Sequence, residues 1–169
     1  AKKQGFKGKA FDQLEIALSE MQSTNTNEVK NQEPTQEQLQ HLLKLYNKGE
    51  FLQIFDRINA LHKEFPNSAE LYNFQGAASA RLKKFDKAIE NYKKAIKINP
   101  NHFDSYYNMG NAFQLKGALK QAIENYKQAI KIKVDHADVY YNYGNALNSK
   151  GKFDEAISNF KKAIKINPD

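Results

Sequence analysis

The chain has 169 residues, 40% of them hydrophobic and 27% charged, a soluble globular composition that suffices for one domain or a short array of helical hairpins. The absence of cysteine excludes disulfides and thiolate metal sites, and no apolar run approaches the roughly 20 residues of a membrane span. The formal charge of +7 raises nucleic acid and membrane surfaces as partners; residues 1–32 hold five lysines against four acids, so the surplus lies beyond them.

The start is basic, Gly5-Phe6-Lys7-Gly8-Lys9, with no signal-peptide core behind it, so a cytoplasmic protein is expected. Phe11, Leu14, Ala17, Leu18 and Met21 share one helical face, which predicts a short amphipathic helix over residues 9–22. From Gln22 to Pro34 the sequence is polar and aperiodic and reads as a linker, so residues 1–34 form a basic tail, helix and linker. Thr35 followed by Gln38 has the spacing of a capping box and marks the next helix start.

From there the sequence repeats with a period of 34. Gly76, Gly110 and Gly144 align, as do Ala88, Ala122, Ala156, then Tyr92, Tyr126, Phe160 and Ala95, Ala129, Ala163. Within each unit apolar residues recur every three or four positions in two blocks, predicting two amphipathic helices. Gly117 and Gly151 fall between the blocks, where a tight turn needs an unhindered backbone, and Pro100 and Pro168 stop the second helix. Val134 replaces proline in the third copy, so that helix is expected to run on slightly. The apolar residues Ile157, Phe160 and Ile164 of the last unit have no following unit to cover them; truncation, further repeats or self-association through this uncapped repeat would each account for it.

These residues resemble the tetratricopeptide repeat, with small residues at repeat positions 8, 20 and 27, an aromatic at 24 and proline at 32. Residues 69–102, 103–136 and 137–169 fit well. Residues 35–68 are divergent, keeping Gly49 and Pro66 but placing Leu42, Ile54 and Leu61 at the small positions. The resemblance implies an all-α fold, a right-handed superhelical solenoid of antiparallel helix pairs with about 3.5 to 4 repeats and the short amino-terminal helix. No unit buries its own apolar face, so neighbours must stack.

Chemistry finds little support. His41, His62, His102 and His136 include no i,i+4 pair, so no metal site is expected. Gly5–Gly8 lacks the spacing of a phosphate loop, no serine sits in a nucleophile elbow, and Glu90 and Glu124 recur as solvated repeat positions. No catalytic residue and no cofactor is expected, and the chain reads as a non-enzyme. Lys93, Lys94, Lys97, Lys127, Lys131, Lys133, Lys161, Lys162 and Lys165 lie on or just beyond second helices, and arginine is limited to Arg57 and Arg81. A solvated outer face explains them better than nucleic acid, which needs exposed stacking residues beside the charge.

What the resemblance implies about function is a concave groove lined by the first helices that binds an extended peptide of a partner protein. The implied groove residues are Asn73, Tyr107, Asn108, Asn111, Gln114, Tyr141, Asn142, Asn145 and Asn148. Asn108 and Asn142 match the asparagine ladder of O-linked N-acetylglucosamine transferase repeats; local bonding among repeat-consensus residues is the competing explanation. Glu70, Asp104 and Asp138 on the groove edge argue for a neutral or basic peptide and against a chaperone-tail receptor, whose Lys and Arg positions hold Asn73, Asp138 and Asn142 here. The alternative is the repeat region of a larger glycosyltransferase, sulfotransferase or hydroxylase. Bacterial repeat proteins of this family show similar repeats.

Overall fold

The computed structural model describes residues 33–168, which belong to a compact unit that begins at Glu33. The expected amino-terminal helix over residues 9–22 and most of the linker lie outside the described residues. Among the described residues there are eight helices and no strand: α1 (Gln36–Lys48), α2 (Phe51–Glu64), α3 (Ala69–Arg81), α4 (Phe85–Ile98), α5 (Phe103–Leu115), α6 (Leu119–Ile132), α7 (Ala137–Ser149) and α8 (Phe153–Ile166). The capping box forms as the spacing predicts. Gln38 N–H donates to Thr35 Oγ1 at 3.3 Å, and Thr35 N–H donates to Gln38 Oε1 at 2.8 Å.

Each hairpin turns through the same cap. An amide two or three residues past the first helix bonds back to a carbonyl five residues earlier, as in Ala118 N–H to Phe113 O and Lys152 N–H to Leu147 O, both 2.9 Å. This geometry needs one left-handed residue. Gly49, Gly117 and Gly151 supply it at φ of 76°, 76° and 73°, but the α3–α4 turn uses Lys83 at φ 58°. A Cβ in that region costs about 1–2 kcal/mol. Lys83→Gly is therefore expected to raise the thermal midpoint, a gain of roughly 0.5–1 kcal/mol after the larger unfolded-state entropy of glycine is subtracted.

Within hairpins the second-helix aromatic lies flat on the first-helix glycine. A Cβ placed on Gly76, Gly110 or Gly144 would stand 2.5, 2.6 and 2.6 Å from the ring of Tyr92, Tyr126 or Phe160. Ala88, Ala122 and Ala156 are almost fully buried beside them. The first hairpin inverts this volume distribution: Leu42 stands at the glycine position and Ile58 at the aromatic one, and with Ile54 and Leu61 they make a buried aliphatic core. The bulk holds α1 and α2 farther apart, and their backbones approach within 8 Å at fewer places than in the other hairpins.

The expected extension of the helix at Val134 does not occur. α6 ends at Ile132, one period from Ile98 and Ile166. Lys133 turns extended at φ −137°, ψ 107°, as Asn99 and Asn167 do, and Val134 stays exposed. Proline is thus not what stops the helix. His136 packs on the Phe103 ring at 5.0 Å and Lys133 lies 5.6 Å over the same ring, pulling the chain into the next hairpin.

Along the array each second helix packs on the next first helix, and consecutive first helices also touch, α3 with α5 and α5 with α7. That closeness puts the first helices on the inner side of the curve. The second helices face outward, and all nine lysines expected there are exposed. Lys94 pairs with Glu90 at 2.7 Å and lies 5.8 Å over the Tyr72 ring, and Lys162 lies 5.5 Å over Tyr140. At the last helix Ile157 and Ile164 are exposed as expected, joined by Phe153, while Phe160 is half-buried against Tyr141 and the Gly144 backbone.

Candidate functional site

The inner face carries the polar side chains expected there, and most are tied to one another across the repeat boundaries. Asn108 Nδ2 donates to Asn73 Oδ1 at 3.2 Å, and the Ser105 hydroxyl donates to the same oxygen at 3.3 Å. Asn142 Nδ2 donates to Tyr107 Oη at 3.0 Å and to Asn111 Oδ1 at 3.1 Å. The Tyr126 hydroxyl reaches through from the second helix to the oxygens of Asn111 and Gln114, each at 2.7 Å, and its single proton is shared between the two. The ladder therefore stitches α3 to α5 and α5 to α7.

Each stitch uses half of an amide. Asn108 and Asn142 spend their NH₂ and keep a carbonyl oxygen; Asn73, Asn111 and Gln114 spend the oxygen and keep NH₂. Asn145, Asn148 and Tyr141 form no side-chain hydrogen bond among the described residues, and Tyr141 is 56% exposed. The cause lies one helix away: Phe160 occupies the place of Tyr126 and has no hydroxyl to offer positions 145 and 148. Tyr126 is the residue that sequence reasoning assigned only to packing. The signal was the pairing of tyrosine at 126 with amides at 111 and 114, against phenylalanine at 160.

Toward the amino-terminal end the face hollows into a cavity of about 330 Å³ lined by Leu43 and Tyr46 of α1, Glu70, Asn73, Phe74 and Ala77 of α3, and Asp104 and Asn108 of α5. Of these Asn73 and Asn108 stand among the peptide-binding residues expected from the sequence, and Glu70 and Asp104 among the acids expected on the groove edge. The loops between hairpins are also polar. His102 caps α5, its Nδ1 accepting from Ser105 N–H at 3.2 Å while Nε2 meets Glu70 Oε1 at 3.1 Å. Ser68 caps α3 and donates to Glu33, whose other oxygen accepts Ala69 N–H at 3.1 Å.

Two histidines carry opposed pH responses. Burial opposes charge on His102, but the Glu70 carboxylate, with Asp104 and Glu33 adding, raises it above the usual 6.5. Its contribution is complete below that value and is lost as pH rises through the folded pKa. Burial lowers His62, whose ring lies tilted 4.5 Å from the Tyr72 ring; its contribution is present above 6.5 and is lost as pH falls through its folded pKa. Melting curves on the acid side of 6.5 should therefore flatten in His62→Phe, and the decline above 6.5 should flatten in His102→Gln.

Among the described residues no group of three or more His, Asp and Glu converges as a metal site would require, and no helix is long and apolar enough to cross a membrane.

The family model described as TPR repeat matches residues 76–117 and 115–148, and the one described as Tetratricopeptide repeat matches residues 137–169, together more than half of the chain. The chain belongs to the tetratricopeptide-repeat family. Among solved tetratricopeptide-type structures it resembles MamA: one crystal structure is 29% identical with a TM-score of 0.69, covering 77% of this chain and 78% of that one. MamA residues 41 to the end from Desulfovibrio magneticus RS-1, 19% identical with a TM-score of 0.68 over 78% of this chain and 74% of that one, share the fold. A curated relative is a probable UDP-N-acetylglucosamine–peptide N-acetylglucosaminyltransferase, SEC, of Arabidopsis thaliana, 30% identical over 73 residues. That match takes in 43% of this chain and only 8% of the relative. The tetratricopeptide solenoid is a fold of protein–protein interaction.

Proposed function

We propose that the concave face binds an extended segment of a partner protein and that the array itself performs no chemistry. Residues 1–34 are a basic tail and linker, 35–68 a divergent repeat, and 69–102, 103–136 and 137–169 three regular ones. The observation that carries the reading is the row of half-used amides. Their unspent groups include both NH₂ donors and carbonyl acceptors, the two kinds that the backbone of an extended peptide needs. Asn145 and Asn148 add whole amides, and Tyr107 and Tyr141 offer flat apolar contact.

The test is a crosslinking pull-down with the wild type beside Tyr141→Ala/Asn145→Ala/Asn148→Ala, which alters free groups and leaves the stitches intact. Both proteins should give the same helical circular dichroism. Partners identified by mass spectrometry should be captured by the wild type and lost by the variant. Phe160→Tyr offers an independent arm: its hydroxyl would engage positions 145 and 148, adding about 0.5–1.5 kcal/mol of stability while weakening capture. Equal capture by all three proteins would refute groove binding.

The match to the Arabidopsis transferase favours one further reading, a non-catalytic repeat region of a larger glycosyltransferase, sulfotransferase or hydroxylase. A gene that encodes such a domain in frame with these repeats would establish it, and a gene that encodes none would remove it.

A further inference from the structure

We propose that the amino-terminal half of the groove is a selective pocket for a peptide that carries lysine or arginine next to a bulky apolar side chain; the inference rests on the groove reading above. The cavity between α1, α3 and α5 has an apolar floor and a charged wall. Leu43 is 48% exposed on that floor, and Tyr46, Phe74 and Ala77 are only partly covered. An apolar side chain seated there would remove them from water.

The wall is acidic. Asp104 is exposed and has no hydrogen-bond partner among the described residues, and Glu70 stands one repeat before it with its side chain 35% exposed. His102 behind Glu70 engages only one carboxylate oxygen. The Asn73 amide, nine-tenths buried, gives its oxygen to Asn108 and Ser105 and lines the cavity with its NH₂ unspent, a donor for a peptide carbonyl beside the charge. Arg81 lies on the opposite side, 5.9 Å over the Tyr46 ring, and Asp138 continues the acidic edge into the next repeat. A cation is therefore favoured at the Glu70–Asp104 wall and opposed near Tyr46, which sets both the charge and the direction of the bound chain. The carboxyl-terminal half, with its free asparagines and Tyr141, offers no comparable charge contrast and would hold backbone.

Fluorescence anisotropy of the full chain with labelled nonapeptides tests this. The probes place Lys-Leu, Gln-Leu, Glu-Leu or Lys-Ser at the centre of a serine and glycine background. The Lys-Leu peptide is expected to bind about tenfold tighter than Glu-Leu, to lose affinity as salt rises, and to bind better than Lys-Ser. Asp104→Lys, at an exposed site with no side-chain hydrogen bond to lose, should reverse the preference toward Glu-Leu, and Asp104→Asn should abolish it. Peptides that bind alike whatever their charge, are insensitive to Asp104→Lys and are lost in Asn145→Ala/Asn148→Ala would overturn the pocket and leave groove binding standing. If no peptide binds the wild type, or binding ignores both sets of variants, both readings fall.

Discussion

Tyr126→Ala is expected to lower the unfolding free energy by about 3–5 kcal/mol, the range for deleting a buried aromatic ring. The ring is fully buried between α5 and α6, against the Gly110 backbone, and belongs to the core that also holds Val139, Tyr143 and Leu147 of the next repeat. Its hydroxyl is the hub of the groove network, so the substitution also frees the oxygen of Gln114 and leaves that of Asn111 with Asn142 alone. Tyr126→Phe separates the two contributions. It keeps the ring and should cost only about 0.5–1.5 kcal/mol, since half-buried amides regain water. Urea unfolding followed by circular dichroism reads both. A Tyr126→Phe loss as large as that of Tyr126→Ala would mean that the hydrogen bonds, and not the packing, hold the repeat.

Gly110→Leu should cost about 3 kcal/mol or more, because the new Cβ would stand 2.6 Å from the ring of Tyr126, which is itself fully buried. The first hairpin suggests its own suppressor. There Leu42 and Ile58 occupy these two positions and pack in one buried cluster. Gly110→Leu combined with Tyr126→Ile should therefore lose clearly less than the sum of the single losses. Strict additivity would show that the two positions do not share one volume.

The 34-residue period makes most of this fold legible in the sequence. Gly110 aligned with Gly76 and Gly144, and Tyr126 with Tyr92, because each glycine exists to receive the ring of its own hairpin. The same logic explains why Leu42 marked a divergent repeat: large and small had exchanged places. Val134 misled because proline is a sufficient helix stop and not a necessary one; the packing of His136 on Phe103, 33 residues apart, ends α6 without it. The groove positions followed from repeat numbering, but their state did not. Whether Asn111 or Asn145 is free depends on a hydroxyl on another helix, at residue 126 or 160, and each residue taken singly carries no trace of that. Nor does spacing alone show that Leu43, Phe74 and Asp104, which come from three helices, border one cavity.

Ligands are proposed to enter on the concave side. The most direct measurement places a photo-crosslinking amino acid at position 145 on the inner face or at position 127 on the outer face, and compares the adducts formed in native lysate. Mass spectrometry should find a defined segment of a partner protein attached at 145 and absent at 127. Adducts concentrated at 127, with 145 unreacted, would rule out the groove and move the site to the outer lysines.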